Sequence, residues 1–399
     1  MTSEEQSLWA VLEARDRAIA RGAEQRASLQ AEVDRREEVI RGLTAKLHEE
    51  DAFAKMTALL EEKEAVIHEQ SRALEAYRAA FSVLGWVMVP MNHLALGVRS
   101  VLRRTIGRFG PRLGVLRQYP PRVLRPPVLP AQIPQPAPRI SIVTPSFRQA
   151  EFIERTIRSV IEQRYPNLEY FVQDGGSRDG TAEILGRYAP QLSGWASESD
   201  SGQSQAINRA FAKTSGEIMA WINSDDILFP NALAQVAEFF ARHPEIDVVY
   251  GHRVLIDEQD REIGRWILPT HNDGVLTWAD YVPQETLFWR RRMWDRAGGL
   301  VDESFRFAMD WDLLLRFRDA GARFARMPRF LGGFRVHSRQ KTSAGISDVG
   351  FAEMNRLRER VLGRVPTRIE ISKAVAPYLI RHTATDWGWR IRNSLGMQT

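Results

Sequence analysis

Residues 139–188 read RISIVTPSFRQAEFIERTIRSVIEQRYPNLEYFVQDGGSRDGTAEILGRY, and they set the architecture of everything that follows. RISIVT (139–144) is a short, β-branched apolar run, which predicts a buried strand. Ile153, Ile157, Val160 and Ile161 recur at helical spacing within 150–163. LEYFVQ (168–173) predicts a second strand, and 181–188 a second helix. The alternation continues outward: a third helix at 203–214, a third strand at 217–222 (EIMAWI), then a helix at 231–242 and a strand at 247–256. Strands alternating with helices of this length predict an α/β domain with a mostly parallel sheet covered by helices.

Ligands of open α/β sheets bind beyond the carboxyl ends of the strands. The first strand is followed by Pro145-Ser146-Phe147-Arg148, the second by Asp174-Gly175-Gly176-Ser177, and the third by Asn223-Ser224-Asp225-Asp226. Glycine after the second strand lets backbone approach a ligand closely. The adjacent carboxylates Asp225 and Asp226 suit a hard divalent cation, Mn²⁺ or Mg²⁺, that also takes oxygens from a diphosphate. Helix capping by Ser224-Asp225-Asp226 is the alternative reading of the same residues.

ISIVTPSF, QDGGSRDGT, ESDSGQSQAINRAF and AWINSDDILFP occur in that order between Arg139 and Asn231. This half resembles the nucleotide-binding half of family 2 glycosyltransferases, which have the GT-A fold. The resemblance continues through VPQETLFWRR, FAMDWDLLLRF and FRVHSRQKTS, as far as about Arg360. It implies an inverting hexosyltransferase that moves a sugar from a nucleotide-diphosphate sugar, UDP-linked most commonly, to a hydroxyl of a glycan or lipid-linked acceptor.

Carried over residue by residue, the resemblance puts Pro145 and Phe147 beside the nucleobase and Asp174 on base and ribose. Asp200 and Gly202 would border the donor sugar and nucleotide. Asp226 would be the direct metal ligand, with Asp225 near ribose or metal. Asp310 would be the general base on the acceptor hydroxyl. His337 stands where relatives place a metal or phosphate contact, or is a surface-loop residue. Gln284 and Trp289 would line the acceptor side, Trp289 otherwise being core. The family often has Glu before the base and Asp at the start of the metal motif; here Met309 and Asn223 occupy those places.

Outside this domain, residues 1–78 are rich in Ala, Glu, Arg, Leu and Gln. Their imperfect near-heptad apolar spacing, through Leu12, Ile19, Val33, Ile40 and Leu47, predicts a long helical coiled coil and self-association, the alternative being a lone helix packed on its own protein. Residues 79–118 begin nearly uncharged and then carry Arg99, Arg103, Arg104, Arg108, Arg112 and Arg117. That order predicts an interfacial anchor on an anionic membrane surface, the alternatives being a hairpin packed on the domain and a true membrane span. Residues 119–138 are a Pro-rich linker, 139–362 the transferase domain and 363–399 a C-terminal tail.

The composition narrows the alternatives. The chain has 399 residues, no cysteine and a formal net charge of +5. The absence of cysteine excludes disulfides and thiolate chemistry and suits a reducing compartment. The acidic N-terminus lacks the basic start of a secretion signal. The expected location is therefore cytoplasmic, peripheral on the inner face of the plasma membrane. No G-x-G-x-x-G opens the first helix, so a dinucleotide oxidoreductase is excluded. The arginine run has few interleaved aromatics, and no nucleic-acid partner is expected. The rival reading is an inactive transferase-like scaffold acting through its coiled coil at a membrane.

Overall fold

The strand at Ile140–Ser146 (β1) is buried along its whole length and forms the middle of the first half of the sheet. A computed structural model describes residues 119–126, 129–337, 340 and 349–394. The coiled coil expected over 1–78 and the apolar-then-basic segment expected over 79–118 lie outside the described residues.

β2 (Leu168–Asp174) runs parallel to β1 on one side, with β3 (Gly194–Ser197) parallel beyond it, while β4 (Ile218–Trp221) lies parallel on the other side. The order β3-β2-β1-β4 means that the chain changes direction across β1, which opens a crevice at the carboxyl ends. Along β1 the period-two alternation is visible: Ile140 and Ile142 enter one apolar cluster and Val143 the other.

The helices α1 (Ile153–Ile161), α2 (Thr181–Tyr188) and α4 (Ala232–Arg242) cover the first of these faces, through Ile153, Ile157, Leu185, Leu233 and Val236. The helix α3 (Gln203–Phe211) covers the other through Ile207 and Phe211. This is the helix-on-both-faces arrangement that the alternation predicts.

The rest of the sheet is mixed. The two-residue β5 (Ile227–Leu228), β6 (Val248–Ile256), β7 (Glu262–Trp266), β8 (Phe288–Arg290) and β9 (Phe324–Arg335) extend it to nine strands among the described residues. β8 pairs antiparallel to both β4 and β6, and β6 pairs parallel to β9. Short helices α5 (Asp273–Leu276) and α6 (Arg291–Arg296) precede α7 (Met309–Asp319), whose Trp311, Leu313 and Phe317 are buried in the second core cluster.

Two segments placed outside the domain by sequence are part of it. In the Pro-rich stretch, Tyr119 N donates to Ile263 O at 2.8 Å and Arg122 exchanges backbone bonds with Glu262 at 3.0 and 2.8 Å. It thus pairs with the edge strand β7, whose free backbone groups need partners. Ile133 and Ala137 pack on the core. The expected linker is therefore a strap at its described residues. After α8 (Phe351–Leu362), the expected tail forms α9 (Arg368–Ser394), which buries Val375 and Tyr378, the latter 4.5 Å from the Tyr281 ring. Among the described residues, no helix is long and apolar enough to cross a membrane.

Candidate active site

The loops leaving β1, β2 and β4 meet at the crevice. Phe147 stands 54% exposed just past β1, with the Arg148 guanidinium over its ring. Pro145, one register position inside the strand, is buried.

Asp174 has a different job from the base-and-ribose contact that the resemblance implies. It is wholly buried, and its carboxylate accepts from Gly176 N at 3.1 Å, Ser177 N at 2.8 Å, Ser177 Oγ at 2.6 Å and Ser197 Oγ at 2.6 Å. Four bonds fill the acceptor capacity of a carboxylate. Asp174 thereby folds the 175–177 loop and ties β2 to β3.

That loop carries the close approach. A Cβ on Gly175 would lie 3.0 Å from Asp200 Oδ2 and 3.2 Å from Phe147 Cδ2. A methyl at this position would press on both, so the Asp200 carboxylate or the Phe147 ring would have to give by a few tenths of an ångström. Asp200 in turn accepts from Gly202 N at 2.9 Å, and Gly202 opens α3 at φ +137°, a conformation reserved for glycine. Burial raises the Asp200 carboxyl above its ordinary range, against the bond from Gly202 and the charge of Arg209.

The loop after β4 separates its two aspartates. Asp226 is only 1% exposed. Its Oδ1 accepts Arg335 N at 2.9 Å, and Asn223 Nδ2 lies 3.5 Å from Oδ2. Burial holds its carboxyl well above the usual range, and the charges of Asp225 and Glu285 push it further. Asp225 keeps more solvent access, and its Oδ2 lies 3.1 Å from His337 Nε2. Its backbone is fixed by Arg335, whose Nε donates to Asp225 O at 2.7 Å.

Cation binding can be tested against these donors. Among the described residues, no group of three or more acidic or histidine side chains gathers to hold a metal alone. Magnesium-like ions, however, use one or two protein donors and complete their shell with substrate phosphate and water. Asp225 and His337 fit that pattern. Asp226, expected as the direct ligand, is nearly fully buried beside them, with Arg335 N on Oδ1 and Asn223 near Oδ2.

Asp310 lies in the first turn of α7 and is partly exposed; its Oδ1 accepts Trp311 N at 2.8 Å. The start of this helix is set from behind by Glu353, which accepts Arg306 N, Phe307 N and Ala308 N at 2.7, 2.8 and 2.9 Å. Asp312 is fully buried between Arg316 and Arg360, so it is structural. The sequence reading missed Asp280. Burial raises its carboxyl well above the usual range, and the Asp310 charge adds to the rise. The signal was weak, one aspartate in an irregular loop.

Gln284 and Trp289 do not line an acceptor wall. Gln284 Nε2 donates to Trp221 O at 2.8 Å and its Oε1 accepts from Asn223 at 3.0 Å, so it braces the loop of Asp225. Trp289 is fully buried among Phe211, Trp221, Trp294 and Phe317.

Residues 141–299 match the family model Glycosyl transferase family 2. An uncharacterised glycosyltransferase of Mycobacterium tuberculosis is 30% identical over 186 residues, 45% of this chain and 69% of that protein. The O-antigen biosynthesis protein RfbC of Myxococcus xanthus is 29% identical over 252 residues, 61% of this chain and 20% of that protein. The crystal structure of S. aureus TarS 1-349 in complex with UDP-GlcNAc aligns with a TM-score of 0.48 at 19% identity, covering 62% of this chain and 73% of that one.

Proposed function

The chain belongs to glycosyltransferase family 2, and from that premise we propose that it transfers a sugar, with inversion, from a UDP-sugar to a hydroxyl of a glycan or lipid-linked acceptor. The observation that carries this reading is the crevice at the β1–β4 switch point, where Asp225 and His337 stand 3.1 Å apart beside an inward-facing Asp226. The exposed ring of Phe147 offers an apolar face to the base. Asp200, above Gly175, offers acceptor oxygens to sugar or ribose hydroxyls. A divalent cation, Mn²⁺ or Mg²⁺, held by Asp225 and His337 would neutralise charge on the departing diphosphate.

On the acceptor side Asp310 takes the proton of the attacking hydroxyl. Such general-base help contributes about 10² to 10⁴ in rate. Glu353 holds the start of α7 so that this carboxylate is oriented before the substrate arrives. The glycan or lipid-linked acceptor is consistent with the name of the O-antigen relative. In the same reading residues 1–78 self-associate as a coiled coil, and residues 79–118 hold the enzyme on the anionic cytoplasmic leaflet of the plasma membrane.

The test is the anomeric configuration of the glycoside formed from a UDP-sugar of known anomeric form, followed by proton NMR from the first turnover. Opposite configuration in donor and product is expected. Retained configuration would contradict the single-displacement role of Asp310.

A further inference from the structure

Asn223 stands between two glutamines. Gln203, the first residue of α3, donates from Nε2 to Asn223 Oδ1 at 2.8 Å. Asn223 Nδ2 donates to Gln284 Oε1 at 3.0 Å, and Gln284 Nε2 donates to Trp221 O at 2.8 Å. Three side-chain amides thus join the loop of Asp200 and Gly202 to the end of β4 and to the loop that carries Asp225. The far end of the chain is firmly set. Gln284 is buried, and the next residue, buried Glu285, accepts from Arg253 Nε and Nη2 at 2.8 and 2.6 Å.

The polarity of this chain is fixed from one end. Trp221 O is a carbonyl and can only accept, so Gln284 must turn its nitrogen there and its oxygen to Asn223. Asn223 must then donate from Nδ2 and accept at Oδ1. An ionised aspartate, the residue common at this place in the family, has acceptors alone. It would set a carboxylate oxygen against Gln284 Oε1. Turning Gln284 over would relieve that contact and leave Trp221 O facing another oxygen. The Asn223 nitrogen also lies 3.5 Å from Oδ2 of buried Asp226, where an aspartate would bring a second negative charge.

From this polarity we infer that Asn223 is a positioning residue, the middle link of an amide chain that fixes the Asp225 loop against the start of α3. The inference rests on the proposed cation site at Asp225 and His337. Asn223 does not ligate the cation; it sets where Asp225 stands relative to Asp200 and Gly202. Cation and donor-side loop are then presented to one nucleotide at a spacing settled before it binds. A ligand at position 223 and a link at position 223 predict opposite responses to an added carboxylate.

Mn²⁺ binding to the full chain in saturating UDP, read from the electron paramagnetic resonance of the free ion, separates the two. Asn223→Asp and Asn223→Ala should each weaken Mn²⁺ binding about tenfold, the scale of one buried polar group left without its partner. A folded variant of either kind that binds Mn²⁺ as tightly as the unaltered chain, or more tightly, would overturn the inference. A lower melting temperature with unchanged Mn²⁺ affinity counts the same way, since the chain would then serve the fold alone. Should both variants fail to fold, Gln203→Ala decides, because it cuts the chain at its half-buried outer end. It should raise the Mn²⁺ Kd about threefold, and an unchanged Kd would overturn the inference. An unaltered chain that binds no Mn²⁺ with UDP would strike the proposed cation site itself, and this inference with it.

Discussion

His337 Nε2 sits 3.1 Å from Asp225 Oδ2, while the next residue, Asp226, is turned inward and accepts the backbone N–H of Arg335. Two adjacent aspartates of one loop thus differ in exposure, partner and electrostatic setting. The β9 strand causes the division, because Arg335 and His337 both come from its end. Arg335 holds the loop backbone and buried carboxylate; His337 meets the accessible one.

Asp225→Asn should lower donor turnover by about 10² to 10³, the usual loss when a charge-stabilising group is removed. Its melting temperature should stay close to that of the unaltered chain, since the side chain is partly exposed. His337→Ala should weaken cation dependence in the same assay. Equal loss of turnover and of melting temperature in Asp225→Asn would show a folding role instead.

Asp226 predicts an opposite pair of stability effects in the ligand-free protein. Its folded carboxyl is raised by burial, so above the unfolded value of about 3.9 folding must take up a proton or bury a charge, at a cost that grows with pH. Asp226→Asn removes that cost while keeping an oxygen for Arg335 N. It should stabilise the fold at neutral pH by of order 1 kcal/mol or more, a gain that disappears below about pH 4. Asp226→Ala should destabilise it by about 1–3 kcal/mol, because a buried N–H loses its acceptor. Urea unfolding at two pH values separates these outcomes.

Gly175→Ala places a methyl carbon 3.0 Å from Asp200 Oδ2 and 3.2 Å from Phe147 Cδ2. Both side chains line the proposed donor side, so the donor KM should rise about tenfold, with kcat for bound donor changed less. A fall in kcat at constant KM would move Asp200 and Phe147 out of donor binding.

The Asp280 and Asp310 charges interact, and the pair should be visible in the pH–rate profile. Asp280→Asn removes one negative charge, so the acid limb of kcat should move to lower pH. Asp310→Asn should lower kcat by about 10² to 10⁴ at every pH. An acid limb that stays in place in Asp280→Asn would separate Asp280 from the chemistry.

Much of the fold was legible because its first half is regular. β1, α1, β2 and α2 follow hydrophobic spacing closely, and the loops at their carboxyl ends are where strand-end reasoning puts a ligand. β3 escaped notice because Gly194–Ser197 is four half-buried residues with a glycine at the start. The roles of Asp174, Asp226, Gln284 and Trp289 were less legible for one shared reason. Motif position says that a residue is near the crevice, but the direction of its side chain depends on partners far away in sequence. Ser197 faces Asp174, Arg335 faces Asp226, and Asn223 faces Gln284, separations that spacing alone does not reveal. Asp280 lies in an irregular loop that no periodicity marks. The tail helix α9 was hidden by Pro377 and by apolar residues on both faces.

The most direct test of the central claim is nucleotide release by the full chain from a panel of nucleotide sugars, with Mn²⁺, Mg²⁺ or EDTA. The account predicts slow release from a UDP-sugar that requires the cation and is lost in Asp225→Asn. A folded chain that releases no nucleotide from any donor, and binds none with or without cation, would contradict it.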